Sequence, residues 1–218
     1  MAERIDMDKS FWLQKWRTKN TAFHQKATNP LLAEHFEALS LAEGSRVFVP
    51  LCGKTLDMVW LLSQGYRVVG VELVEAAVEQ FFEEKEVEPT ISSNGEMRRF
   101  SAENVELFSG DLFDLSRERL GPVDAVYDRA ALVALPGELR IRYATHLKAI
   151  THRAPQLLLT YRYDQSHMEG PPFSISAEEV GRHYGDGYDV ERRASVEVAG
   201  GLKGTCPANE EVWLLRRS

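Results

Sequence analysis

Beyond residue 45 the chain alternates between two patterns. Runs that are almost wholly apolar, such as "RVFVP" at 46–50 and "YRVVGVE" at 66–72, are followed by stretches in which apolar residues return every third or fourth position. A continuous apolar run of that length marks a strand covered on both faces, and the 3.6 period marks a helix with one buried stripe. The pattern predicts strands at "RVFVP", "YRVVGVE", "VELF", "VDAVYD" and "QLLLTY". It predicts a helix from about Thr55 to Gln64, closed by Gly65, which tolerates positive φ. A second helix carries Val74, Ala77, Val78, Phe81 and Phe82 on one stripe, and a third, over 138–150, turns Leu139, Tyr143, Leu147 and Ile150 inward. Repeated β–α units of this kind wind a parallel α/β sheet with right-handed crossovers, a doubly wound fold.

Both ends depart from this rhythm. Near the start, Ser10 is placed to cap a short helix on which Trp12 and Trp16, four residues apart, share a face. Asn29-Pro30 signals a second helix start, with Leu31, Leu32, His35, Phe36 and Leu39 at helical spacing. Between the two, Phe23 is the one large apolar side chain in "RTKNTAFHQKAT", either a plug into the core or a contact on a ligand. Toward the end, Val190, Ala194, Val196 and Val198 alternate with Glu191, Arg193, Ser195 and Glu197. That period of two predicts a strand with one wet face, and "EVWLL" is its expected antiparallel partner. No repeat, low-complexity tract or linker divides the chain, so one domain over 1–218 is expected.

Composition narrows the function. With 218 residues, 44% hydrophobic and 27% charged, the chain is long enough to bury a continuous sheet core. A net charge of −7, without lysines and arginines interleaved with aromatics, argues against a nucleic-acid partner. "MAERIDMDKSFW" lacks the pattern of a signal peptide, and no window approaches the roughly 18 apolar residues of a membrane span. Cys52 and Cys206 form no CxxC pair, and the six histidines show no metal-ligand spacing. A cytoplasmic protein with no metal and no membrane partner is expected.

In an open α/β sheet, ligands bind beyond the carboxyl ends of the strands. That rule selects Pro50 to Lys54, Glu72, Asp111-Leu112 and Asp128-Arg129. "CGKT" resembles the end of a phosphate-binding P-loop, but the glycine required five residues before the Gly-Lys pair is replaced by Phe48. A dinucleotide site needs three glycines at a pyrophosphate, and Gly53 stands alone, although Glu72 fits the ribose-binding acid about 20 residues on. S-adenosylmethionine keeps the ribose and has no phosphate, so a looser turn suffices. Glu72 is then placed to accept from both ribose hydroxyls, while Asp111 reads the adenine amino group and Leu112 packs on the ring.

"WLQKW", "TAFHQ", "VPLCGK", "VVGVE", "YDRAALVAL" and "GPPFSI", in order over nearly the whole chain, resemble the bacterial form of the thiopurine S-methyltransferases. The resemblance implies the class I S-adenosylmethionine-dependent methyltransferase fold, a mostly parallel seven-stranded sheet with an antiparallel C-terminal hairpin. It also implies an N-terminal helical lid over 1–40 on an α/β core over 41–218, and a monomer. It assigns cofactor contacts to Trp12, Trp16, Leu51, Gly53, Glu72, Asp111, Leu112 and Arg129, and places Phe23 and Arg129 at the substrate. Animal relatives carry Ser-Ile where this chain has Asp111-Leu112, and "GGLKGTCPANEE" departs from the family pattern.

The implied reaction is methyl transfer to the sulfur of an aromatic or heterocyclic thiol, with selenium and tellurium species in detoxification as further acceptors. An in-line displacement needs the nucleophile about 3–3.5 Å from the methyl carbon. Arg129, always charged, is the expected catalytic residue because it can stabilise an anionic sulfur. Bland roles stand beside these: Arg129 paired with Asp128, Glu72 capping the next helix, Trp12 and Trp16 packing only, Cys52 chosen for fit, and His24 solvated. A halide or thiol methyltransferase of the same fold and a non-catalytic cofactor-binding module remain the competing functions.

Overall fold

A computed structural model describes residues 11–16, 18, 25, 27–95 and 97–218. Ser10, Phe23 and His24 lie outside these residues. Residues 11–16 form helix α1, and α2 (Pro30–His35) starts where Asn29-Pro30 predicts, with the Asn29 side chain accepting from the Leu31 amide. There follow β1 (Arg46–Pro50), α3 (Leu56–Ser63), β2 (Arg67–Glu72), α4 (Glu75–Glu84), β3 (Thr90–Asn94), β4 (Met97–Ala102) and β5 (Val105–Ser109). The remainder is α5 (Arg117–Leu120), β6 (Ala125–Arg129), α6 (Gly137–Ile150), β7 (Gln156–Tyr163), α7 (Ala177–Tyr184), β8 (Tyr188–Glu197) and β9 (Ala208–Arg217).

All nine strands form one sheet in the order β3-β4-β5-β2-β1-β6-β7-β9-β8. The five central strands, β5-β2-β1-β6-β7, are parallel, and every pairing outside them is antiparallel. The expected seven strands are therefore all present, but the sheet is neither seven-stranded nor mostly parallel. The addition is the β3–β4 hairpin, whose "TISSN" and "MRRFSA" are too polar to read as covered strands. β3 is the outermost strand and exposed at residues 90–93, and β4 buries only Met97 and Phe100, so neither carries a covered strand's apolar run. Helix α7 was also missing from the pattern, although Ser176 followed by Glu179 is a capping-box spacing, and Ser176 does accept from the Glu179 amide.

Strand residues alternate between two buried layers. Phe48, Val69, Val126 and Leu158 face Leu120, Tyr143, Leu147 and Val180 of α5, α6 and α7. Val47, Val49, Val68 and Leu157 face Leu31, Met58, Val78 and Phe82 of α2, α3 and α4. Helices on both faces explain why the central strands are apolar throughout. The C-terminal stripe needs a correction. A bulge between Arg192 and Ala194 shifts the register of β8, so Val190 packs in the first layer and Ala194 in the second. Val196 is 45% exposed. One alternating stripe in the sequence thus serves two faces.

The chain runs outward from β1 to β2 in one direction and from β6 to β7 in the other. The carboxyl ends of β1 and β6 therefore flank the switch point of the topology, where a crevice must open.

Candidate active site

The four strand ends selected from the sequence do converge there. Leu51, Gly53, Glu72, Asp111, Leu112 and Arg129 line one crevice, together with Trp12 and Trp16 from α1. Of the strand-end residues selected from the sequence, Pro50 and Asp128 are absent from the lining, and Cys52, Lys54 and the eight residues just named are in it.

The turn after β1 is shaped by backbone geometry that costs energy. Leu51 adopts φ 47° and Gly53 φ 51°. Across the crevice Ala130, after β6, adopts φ 63°. Left-handed backbone is free for glycine but strained for leucine and alanine, and such strain gathers at functional sites. Trp16 lies close over this glycine: a Cβ there would stand 3.4 Å from Trp16 Cζ2, an ordinary contact, so the positive φ alone is what favours glycine. Trp16 is buried against Val74 and Ala77 at the head of α4, so α1 lies across the openings of β1 and β2.

Glu72 fastens these two turns together. Its Oε2 accepts from the Gly53 amide at 2.8 Å, and its Oε1 accepts from the Val74 amide at 3.0 Å. The capping role leaves each carboxylate oxygen a second lone pair facing the crevice. Burial pushes the Glu72 carboxyl above its usual range, against the pull of those amides. A buried carboxylate in this state gains from further hydroxyl donors. Asp111 accepts from the Phe113 amide at 2.9 Å, which fixes the turn that presents Leu112. The Gly110 amide donates to the Glu72 carbonyl at 2.9 Å and draws this turn toward β2. Lys54, by contrast, turns away to an ion pair with Glu84 of α4, consistent with the failed P-loop reading.

Arg129 is not paired with Asp128. Its Nε donates to Asp57 Oδ2 at 2.6 Å and its Nη2 to Thr55 Oγ1 at 3.1 Å. Asp57 is fully buried and also accepts from the Asn29 amide at 2.8 Å and the Tyr127 hydroxyl at 2.9 Å. Burial works against the guanidinium's charge, but Tyr127 and Asp57 raise its pKa above the ordinary value. Asp128 points to the other face of the sheet, where it accepts from the Tyr143 hydroxyl at 2.7 Å. Its burial lifts its pKa to about 6.

Sequence reasoning missed Asp57. An acid in the first turn of a helix, two residues after a threonine cap, reads as a favourable dipole contact and nothing more. It also missed Glu210, which accepts from Asn29 Nδ2 at 3.0 Å and is raised in pKa by burial, with Arg129 opposing. The signal for both exists only in three dimensions, since the network draws Asp57 from α3, Tyr127 and Arg129 from β6, Glu210 from β9 and Asn29 from the α2 cap.

Among the described residues, no group of three or more His, Cys, Asp or Glu is arranged to hold a metal, and no helix is long and apolar enough to cross a membrane.

Both the fold and the sequence have known relatives. The chain resembles a 1,6-didemethyltoxoflavin-N1-methyltransferase from Burkholderia thailandensis, crystallised with S-adenosylhomocysteine, with a TM-score of 0.68 at 16% identity over 100% of this chain and 90% of that one. A methyltransferase from Anabaena variabilis aligns with a TM-score of 0.63 at 16% identity, covering 95% of each chain. At that identity the likeness speaks for the class I methyltransferase fold alone. Sequence relatives are nearer. A thiopurine S-methyltransferase of Xanthobacter autotrophicus is 51% identical over 97% of this chain and 100% of its own length, and one of Gluconobacter oxydans is 48% identical over 93% and 92%. The family model for thiopurine S-methyltransferase matches residues 7–218, and the chain belongs to that family.

Proposed function

We propose that this chain methylates the sulfur of small aromatic or heterocyclic thiols, using S-adenosylmethionine. The observation that carries the reading is the placement of Arg129, a charged side chain fixed by Asp57 and Thr55 at the crevice opposite Glu72. S-adenosylmethionine supplies an electrophilic methyl group on a sulfonium. The crevice fits it: Glu72 retains lone pairs for two ribose hydroxyls, Leu112 offers an apolar face to the adenine, and the Leu51–Gly53 turn leaves room for the methionine portion.

The chain's own residues then have three tasks. Arg129 holds the acceptor sulfur as thiolate by charge, directly or through a water. It needs no partner base, because an aromatic thiol is already substantially ionised near neutral pH. Trp12 and Trp16 exclude water from the crevice, which strengthens the field of Arg129 at the sulfur. Phe23, outside the described residues, is assigned to the substrate side of the lid.

A turnover screen with labelled S-adenosylmethionine tests this against 6-mercaptopurine, thiophenol, iodide, selenite and tellurite. Methylation of both thiols is the expected result, and selenite or tellurite turnover would extend the acceptors to chalcogen species. Methylation of iodide without either thiol would replace the reading with a halide methyltransferase. Binding of S-adenosylhomocysteine with no turnover of any acceptor would reduce the protein to a binding module.

A further inference from the structure

A second groove lies at the far end of the sheet from the crevice, lined by four arginines. Arg46 opens β1 and Arg67 opens β2, and the two are register partners. Arg99 stands on β4 and Arg119 on α5. Glu106 of β5 joins two of them, accepting from Arg46 Nη2 at 2.6 Å and pairing with Arg99 through its other oxygen. Arg46 is fully committed, since its Nη1 also donates to the carbonyls of Leu120 and Pro122.

The rest of the cluster is not neutralised. Among the described residues, Arg67 spends only its Nε, on the Gly44 carbonyl at 2.8 Å. Arg119, half-buried, has no side-chain acceptor among the described residues. Counting the lining residues, four guanidiniums face Glu106 and Glu118, a local excess of two positive charges on a chain whose net charge is −7. Crowding of like charge is unfavourable unless an anion enters. The pKa of Arg46 is lowered chiefly by burial, Glu106 opposes that shift, and the fields of Arg67 and Arg99 add smaller contributions in the lowering direction. Met97 and Phe108 form an apolar part of the lining, and Ser92 adds a hydroxyl.

We propose that this groove is a binding site for a phosphate group carried on a small molecule, with Arg67 and Arg119 as the open donors and Arg99 at its edge. Phosphate suits the arrangement better than carboxylate. Guanidiniums from β2, β4 and α5 reach the groove from different directions, and a tetrahedral anion accepts from several forks whereas a carboxylate accepts in one plane. The groove is distinct from the methyl-transfer crevice. It lies at the amino ends of β1 and β2, whose five and six residues set it about 15 Å from the turn at Leu51.

Calorimetry of the full chain with inorganic phosphate and with glycerol 3-phosphate, each against sodium chloride at matched ionic strength, tests the site. Saturable binding of either is the expected result. Tighter glycerol 3-phosphate would make the ligand a phosphomonoester, and tighter phosphate would make it the free anion. Arg119→Gln and Arg67→Gln should each weaken binding at least tenfold and leave S-adenosylhomocysteine affinity unchanged. Heats no greater than those of chloride, or binding unaltered in both variants, would overturn the proposal. Thermal melts of the two variants, expected to match the parent protein, guard against loss of the fold.

Discussion

Arg129 Nε lies 2.6 Å from Asp57 Oδ2, and both side chains are withdrawn from solvent, the arginine 9% and the aspartate 0% exposed. The pair joins the end of β6 to the first turn of α3 across the switch point of the sheet. It ties the fold together, and the proposed role of Arg129 in the chemistry can be separated from that tie. Asp57→Ala leaves a buried guanidinium without its partner, so roughly 3–5 kcal/mol of stability should be lost. Arg129→Lys keeps a charge but not the fork that reaches both Asp57 and Thr55, and should retain part of the rate. Arg129→Ala should lower kcat/KM by about a hundredfold or more, the usual size for a lost charge-stabilising donor. With a thiophenol series, that loss should be greatest below the thiol pKa and shrink where the thiolate is already free. Parallel pH profiles for Arg129→Ala and the parent protein would make the arginine scaffold only.

Glu72 should prove a cofactor residue and a structural tie together. Glu72→Ala removes the acceptor of the Gly53 and Val74 amides and, on the proposed reading, of two ribose hydroxyls. S-adenosylhomocysteine affinity is expected to fall by about 2–3 kcal/mol, the scale of charge-assisted hydrogen bonds, with a lowered melting temperature of the free protein. Calorimetry decides it. An unchanged dissociation constant beside a lowered melting temperature would leave only the tie.

Gly53 is expected to resist substitution because of its backbone. Alanine at φ 51° costs about 1–2 kcal/mol in the left-handed region, while its methyl would meet Trp16 Cζ2 at 3.4 Å, an ordinary contact. Gly53→Ala should therefore lower the melting temperature and leave the tryptophan emission of the folded protein unmoved. A shift toward that of an exposed indole would show that the turn, and Trp16 with it, had moved.

Asp128 sets a pH dependence of stability that is independent of catalysis. Its folded pKa of about 6 stands above the unfolded value of 3.8, so the folded state holds the proton more tightly. Stability from this group is greatest below the unfolded value and declines as pH rises to about 6, by roughly 2–3 kcal/mol at about 1.4 kcal/mol per pH unit. Asp128→Asn cannot titrate, so the difference in melting temperature between parent and variant should change steeply between pH 4 and 6 and level off above. A difference that is flat across that window would place the Asp128 pKa in the ordinary range.

The apolar runs by themselves determined the five parallel strands and α3, α4 and α6, because a strand buried on both faces has no freedom in composition. They also selected the carboxyl-end turns, and Leu51, Glu72, Leu112 and Arg129 followed from the rule that ligands sit there. The β3–β4 edge of the sheet, and the faces that β8 presents at the other edge, were decided only in three dimensions. A polar hairpin such as β3–β4 forms because β5 offers it an unpaired edge, and the bulge after Arg192 moves Ala194 to a face that its alternation with Val190 does not announce. The partner of Arg129 was likewise a tertiary decision. Asp128 is its neighbour in the chain, but adjacent residues of a strand point to opposite faces, so the pairing fell to Asp57, 72 residues away, on the same side of the sheet.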